Sequence, residues 1–249
     1  MSDTGRNAAL HARALELIPG GVNSPIRAFG AVGGSPYYVA RAEGGRLWDE
    51  EGTEYLDLVQ SYGAIILGHA HPASVAAIQE AATRGTSYGA PTEREILLAE
   101  AVRERVPTIE KLRLVNSGTE ATMSAIRVAR GATDRAKVVK FAGNYHGHGD
   151  LLLAAAGSAL ATYGLPGSAG VPDSAVADTA VAPFNVVPEL DESVACVIVE
   201  PAAANMGLVP PVPGFLEGLR AECDRGGALL IFDEVITGFR LARGGAQER

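Results

Sequence analysis

Two carboxylates in this chain each close an apolar run, and their positions point to one chemistry. Residues 228–232 (ALLIF) are apolar without interruption and stop at Asp233 and Glu234. Residues 193–199 read as a second such strand and stop at Glu200 and Pro201. A short continuous apolar run is the pattern of a strand covered on both faces, as in a parallel sheet. Residues 215–225 read as a crossover helix, which puts both acids on the same sheet edge. Open α/β sheets bind ligands at the carboxyl ends of their strands. An acid there is costly to bury unless a cation meets it. Asp233 is therefore expected to face a protonated ring nitrogen of a cofactor.

Other residues fall on the same rim. Residues 111–115 read as a strand that runs into Asn116-Ser117-Gly118-Thr119-Glu120 and then into a helix reaching about Arg130. Free N–H groups and the helix dipole favour an anion at such a turn, and the hydroxyls of Ser117 and Thr119 add donors. An ordinary helix cap is the plainer account of the same letters. Neither GxGxxG nor GxxxxGK[ST] occurs, so a dinucleotide or P-loop site is not supported. Residues 137–141 form the next strand, which ends in AGNYHGHGD. Tyr145 could lie flat against a cofactor ring there, or simply pack under its own loop. The turn, Tyr145, Glu200, Asn205 and Asp233 together describe a site for a phosphorylated aromatic cofactor with a ring nitrogen.

The elements that must carry these residues follow from periodicity. Residues 7–18 have helical spacing and stop at Pro19-Gly20-Gly21. Arg27 lies among apolar neighbours in GGVNSPIRAF. It reads either as an exposed loop residue or as a fork for a carboxylate. Residues 37–42, 46–49 and 54–59 alternate and form an antiparallel meander. His69 and His71 follow in a loop without further ligand-spaced Cys, Asp or Glu, which argues against a metal centre. Pro72 opens a helix over 73–83, and Thr92 with Glu95 reads as the capping box of a helix over 92–105. Residues 154–172 are small and glycine-rich, a loop long enough to be a lid.

The 249 residues are 47% hydrophobic and 20% charged, enough to bury a substantial core. Net charge is −8, no Lys/Arg cluster occurs, and nucleic acid or an anionic membrane is a poor partner. Cys196 and Cys223, the only cysteines, sit in apolar contexts and read as thiols of a reducing compartment. No secretory apolar region opens the chain and no run is long enough to span a bilayer, so a cytoplasmic protein is expected.

The segments PGGVNSPIRAF, GHAHP, SGTEA, YHGH, EPxxxN and FDEVITGFR resemble the class III, fold-type I pyridoxal-phosphate enzymes, most closely their glutamate-1-semialdehyde aminomutase branch. The resemblance runs through essentially the whole chain. It implies an α/β fold: a mostly parallel sheet flanked by helices, incomplete at its C-terminus, behind a small N-terminal helix and antiparallel strands. Residues 1–60 would be that arm, and 61–249 the cofactor-binding large domain. It also implies roles. Ser117, Gly118 and Thr119 hold the cofactor phosphate, Tyr145 stacks on the pyridine ring with His146 beside it, and Asp233 meets the ring nitrogen. Asn205 meets the phenolic oxygen, and Glu200 is a structural acid nearby. Ser24 and Arg27 bind the substrate carboxylate, and Ser158 lies in the gating loop. Asp233 and Tyr145 carry the catalytic part. The cofactor it implies is pyridoxal 5'-phosphate in its pyridoxamine form. The reaction it implies is the intramolecular amino transfer that makes 5-aminolevulinate for tetrapyrroles, and the assembly it implies is a homodimer.

The chain departs from that pattern in its lysines. Lys111, Lys137 and Lys140 are the only three, and none stands in the family's Schiff-base context. The expectation is an N-terminal portion without turnover of its own, with an unpaired sheet edge and exposed apolar surface near residue 249. Two alternatives stay open: an aminotransferase with separate amino donor and acceptor, and a lysine-less binding protein that keeps the fold.

Overall fold

Alternating residues and tight glycine turns build the first part of the chain, and buried β-branched strands build the second. The computed structural model describes residues 5–30, 32–155, 162–163 and 165–249. Ser158 and most of the small-residue loop's tip lie outside the described residues. The chain divides into two units, Met1–Pro91 and Thr92–Arg249.

In the first unit, helix α1 (Arg6–Leu17) precedes β1 (Val39–Glu43), β2 (Arg46–Asp49) and β3 (Glu54–Leu56), which pair antiparallel in that order. This is the expected meander, with shorter outer strands. Its hub is Asp49, 3% exposed. The carboxylate accepts from Asn7 Nδ2 (3.0 Å), Thr53 N (2.8 Å), Glu51 N (3.0 Å) and Tyr55 Oη (3.0 Å). Burial pushes its pKa up, but these donors more than offset that and hold it below the usual value. The guanidinium of Arg41 lies 3.4 Å from the centre of the Trp48 ring. His69 Nε2 lies 2.7 Å from Asp57 Oδ2, so this histidine already has a carboxylate partner. Helix α2 (Pro72–Ala82) begins at the proline that pre-sets its first turn.

In the second unit, α3 (Glu93–Arg105) is followed by α4 (Gly118–Thr133), β4 (Lys137–Phe141) and the short strands β5 (Ala154–Ala155), β6 (Thr162–Tyr163) and β7 (Leu165–Pro166). Then come α5 (Asp173–Val176), β8 (Thr179–Ala182), β9 (Val194–Val199), α6 (Phe215–Gly226) and β10 (Leu229–Phe232). The main sheet has the order β10-β9-β4-β8-β6. Its first four strands are parallel, and β6 joins antiparallel; β5 and β7 pair separately.

Strand parity sorts the core into two layers. Val139, Phe141, Val197 and Val199 pack with Phe215, Leu219 and Cys223 of α6. Val138, Cys196 and Ile198 pack on the other face with Ile126 and Ala129 of α4. Phe141, Phe184 and Phe215 meet edge to face at centroid distances of 5.2–6.2 Å. Both cysteines are free and buried, and burial pushes Cys196 up to about 12 and Cys223 up to about 11.

Three sequence expectations are corrected. β10 is not a central strand: among the described residues it pairs only with β9, and although Leu230 and Phe232 pack on one face and Ile231 on the other it is only half-buried, with Leu229 41% exposed. The strand buried along its whole length is β9, with β10 on one side and β4 on the other. Residues 111–115 form no strand, because no described strand pairs with them, and Leu114 and Val115 are exposed. The expected capping box does not form at Thr92. Thr92 Oγ1 meets the Glu95 carboxylate instead of a backbone N–H. At α4, by contrast, Ser117 Oγ accepts from Glu120 N (3.2 Å), while Glu120 Oε2 accepts from Asn116 N (2.6 Å).

Two measurements probe this packing. Phe215→Ala empties the meeting point of three rings and should cost about 3–5 kcal/mol by urea denaturation. Glu222 pairs with Arg225 and accepts from Leu190 N at 2.7 Å, which holds its pKa down from 4.5 to about 2. The folded value lies below the unfolded one, so the stability it adds is present above the unfolded pKa and lost as pH falls through the folded one. Glu222→Gln should lower the melting temperature at neutral pH, and the gap from wild type should close in acid.

Candidate active site

Period-2 geometry delivers the two acids to one face. Ile231 packs on the α4 side of β10 and Ile198 on the α4 side of β9. Two residues further along, Asp233 and Glu200 fall on that same side, at the carboxyl ends of adjacent strands. Asp233 N donates to Val199 O (2.8 Å), which locks the two strand ends together. Both acids are buried, Asp233 to 9% and Glu200 to 4% exposure.

Each acid is held by named donors. Glu200 Oε1 accepts from Tyr145 N (2.6 Å) and Asn205 Nδ2 (3.1 Å), and its Oε2 accepts from Ala204 N (2.9 Å). Glu200 N donates in turn to Asn144 Oδ1 (2.8 Å). This one carboxylate thus gathers the loop after β4 and the loop after β9. Asp233 Oδ2 lies 2.7 Å from His146 Nδ1, and its Oδ1 accepts from Val235 N (3.1 Å). Tyr145 is 53% exposed, so its ring is free to receive a flat partner at the rim.

The turn before α4 is tied to the same place. Thr122 Oγ1 donates to His146 O (2.8 Å), and Thr119 Oγ1 accepts from His148 N (3.2 Å). Gly147 has φ +85°, and a Cβ there would stand 2.3 Å from Thr119 Oγ1 and 2.7 Å from Thr119 Cα. A Cβ on Gly118 would stand 3.1 Å from Val235 Cγ2. The backbone of the Tyr145–His148 loop therefore lies directly on the first turn of α4. The N–H groups of Gly118 and Thr119 have no intrahelical acceptor. Ser117 and Thr119 use their hydroxyl oxygens as acceptors and keep their hydroxyl hydrogens to give. Four donors at a helix N-terminus suit a phosphate.

Ser117, Gly118, Thr119, Tyr145, His146, Glu200, Asn205 and Asp233 are thus linked through one hydrogen-bonded rim. Ser24 and Arg27 belong to the first unit. Ser24 precedes the 3₁₀ turn Pro25–Ala28, accepts from Arg27 N (2.9 Å), and the Arg27 side chain is exposed.

Sequence reading missed Asn144, buried and bonded to the Glu200 backbone, and the engagement of His146 with Asp233. It also missed the environment of Lys140. That lysine is 7% exposed and donates to Leu152 O at 2.7 Å; burial pushes its ammonium pKa down, against the pull of Glu200's charge. A lysine inside VVKF was the available signal. Lys137 reaches Asp191 at the start of β4.

Known proteins resemble this chain in sequence and in fold. The family model for aminotransferase class-III matches residues 29–247. A glutamate-1-semialdehyde 2,1-aminomutase of Syntrophobacter fumaroxidans is 58% identical over 98% of this chain and 58% of its own length. Among solved structures, a transaminase with PLP bound matches at TM-score 0.87 and 38% identity, covering 97% of this chain and 57% of that one. A glutamate-1-semialdehyde-aminomutase from Pseudomonas aeruginosa matches at TM-score 0.84 and 29% identity, over 96% and 53%. The chain thus spans a little over half the length of the relatives it matches.

Gly147→Ala tests the close approach. Gly207 also has positive φ (+104°), but a Cβ there meets nothing within 4 Å. Gly207→Ala should cost about 1 kcal/mol through backbone strain alone, and Gly147→Ala about 1–3 kcal/mol more from the clash, both by denaturant titration.

Proposed function

Because the chain belongs to the class-III aminotransferase family, we propose that it is the cofactor-binding portion of an enzyme that converts glutamate-1-semialdehyde to 5-aminolevulinate for tetrapyrrole synthesis. The observation that carries this reading is the pairing on one rim of a buried carboxylate, Asp233, with an anion cradle at Ser117–Thr119. It is supported by the high identity to a relative bearing the aminomutase name. The domain reading, an arm over 1–60 and a cofactor-binding part over 61–249, belongs to this proposal. So do a cytoplasmic setting, a homodimer, and binding of the substrate carboxylate by Ser24 and Arg27. Among the described residues no helix is long and apolar enough to cross a membrane.

The residues fit pyridoxal 5'-phosphate or its pyridoxamine form. Ser117, Gly118 and Thr119 would hold the phosphate, Asp233 the ring nitrogen, Tyr145 the ring face and Asn205 the phenolic oxygen. When bound, this group supplies an electron sink for the pair released when a substrate C–H bond breaks. The chain's part is electrostatic and positional. Asp233 would favour a protonated ring nitrogen, because a buried carboxylate gains by facing a cation. Glu200 sets the backbone of Tyr145 and the amide of Asn205, so a ring would meet a prepared surface. The three lysines take no part in holding the cofactor: Lys140 is spent on Leu152 O, Lys137 reaches Asp191, and Lys111 is exposed before α4.

Titrating the purified 249-residue chain with pyridoxamine 5'-phosphate, followed by absorbance and fluorescence, tests the cofactor reading. We expect saturable binding, at least about tenfold weaker in Asp233→Ala and about fivefold weaker in Ser117→Ala. Binding untouched by Asp233→Ala would refute the assignment. The same chain should form no 5-aminolevulinate from glutamate-1-semialdehyde; product formation would refute the reading of the lysines.

A further inference from the structure

Of the chain's three methionines, Met123 and Met206 lie among the described residues, and both pack on the loop after β4. Met206 comes closer. A Cβ on Gly143 (φ +80°) would overlap Met206 Sδ, so the sulfur fills the space a side chain there would need. At Met123 the fit is looser: a Cβ on Gly149 would stand 3.0 Å from its Cγ and 3.4 Å from its Sδ. Gly143 leads into Asn144 and Tyr145, and Met206 follows Asn205. These are the two segments that Glu200 gathers, through Tyr145 N (2.6 Å) and Asn205 Nδ2 (3.1 Å). The loops after β4 and β9 are thus fastened twice, once by a carboxylate and once by a thioether. Glu200 is buried, but Met206 is 36% exposed and Met123 37%, so a small solute in water reaches either sulfur. The cysteines do not compete for it. Both are buried, and with Cys196 held up at about 12 and Cys223 at about 11 they carry almost no thiolate at neutral pH.

We propose that Met206 is an oxidation site that controls the candidate cofactor rim: a peroxide converts its thioether to the sulfoxide and so unfastens the loop that carries Tyr145. The effect on a cofactor rests on the reading above; the loosening of the loop does not. The step balances. A sulfur lone pair attacks one peroxide oxygen, and an S–O bond forms as the O–O bond breaks. With hydrogen peroxide the other oxygen takes up the proton and leaves as water. Sulfur is oxidised by two electrons and the peroxide is reduced by two. The product is a polar group that seeks hydrogen bonds, where the thioether was a pliable apolar filler. The Gly143 backbone blocks one side of the sulfur, so the sulfoxide gains by turning out to water. Gly143 then loses its cover, and the bond from Tyr145 N to Glu200 is left as the remaining fastening of that turn. Met123 is a comparison built into the chain. It is as exposed as Met206, but its sulfur stands back from Gly149, so its oxidation leaves the rim in place.

Two measurements on the 249-residue chain, before and after treatment with hydrogen peroxide, test this. Peptide mass spectrometry follows oxidation at each methionine. The first measurement, without cofactor, is amide hydrogen exchange at Tyr145 by proton–nitrogen spectroscopy. Oxidation should speed it about tenfold in wild type and in Met123→Leu, and leave it unchanged in Met206→Leu. The second is pyridoxamine 5'-phosphate binding. Oxidised wild type should bind about fivefold more weakly than untreated, and Met206→Leu should stay within about twofold of its own untreated value. Met206→Gln, whose amide stands in for the sulfoxide, should bind about fivefold more weakly with no peroxide added. A Met206 that resists peroxide while Met123 reacts, unchanged exchange at Tyr145 after Met206 is oxidised, or a sensitivity lost in Met123→Leu and kept in Met206→Leu overturns the proposal. If the untreated chain binds no cofactor, the cofactor reading falls, and exchange at Tyr145 still decides whether Met206 fastens the loops. If Met206→Leu does not fold, exchange in wild type, Met123→Leu and Met206→Gln decides alone.

Discussion

A buried carboxylate at the end of a parallel strand is an electrostatic problem that the surrounding structure must solve. Asp233 is removed from water, and a charge in that setting is tolerable only with donors on both oxygens and a cation within reach. One oxygen is met by Val235 N and the other by the His146 ring. The geometry of the rim follows from that requirement. His146 can reach Asp233 only if its loop lies on α4, and the loop can lie there only because Gly147 has no side chain. Removing the charge would remove the reason for this tight packing.

Glu200 does the complementary work. Its three acceptor bonds draw together the segments after β4 and β9, and Asn144 fixes its backbone in return. Lys140 sits under the same face, and its depressed pKa shows the cost of its burial. Two acids, one lysine and one histidine make a buried polar layer between the sheet and α4. The opposite face, against α6, is apolar and aromatic. The sheet thus has one side given to packing and one, near its carboxyl edge, given to polar contacts.

Much of this was legible in the letters. The apolar runs with a crossover helix put both acids on one edge; that they share one face came from the packing of Ile198 and Ile231. The S-x-x-E of Ser117 and Glu120 held a side-chain cap, with Glu120 reaching back to Asn116 N, while the same spacing at Thr92 was a false signal because that side chain meets its carboxylate instead. What sequence could not give was environment. Continuous apolar letters at 228–232 do not distinguish an edge strand from a central one, since lateral pairing depends on which other strands arrive. Residues 111–115 have strand-like letters but no described partner. His146 looked like a ligand beside Tyr145; only three dimensions show its ring turned inward.

β10 has a single hydrogen-bonded neighbour, while β9 has two. Local opening is easiest where a strand is held on one side only, so amide exchange should run faster at β10 than at β9. Asp233 hangs from that loosely held margin. Any guest that prefers the folded carboxylate would then lend its own binding energy to an edge strand, so occupancy of the rim and persistence of the edge rise and fall together.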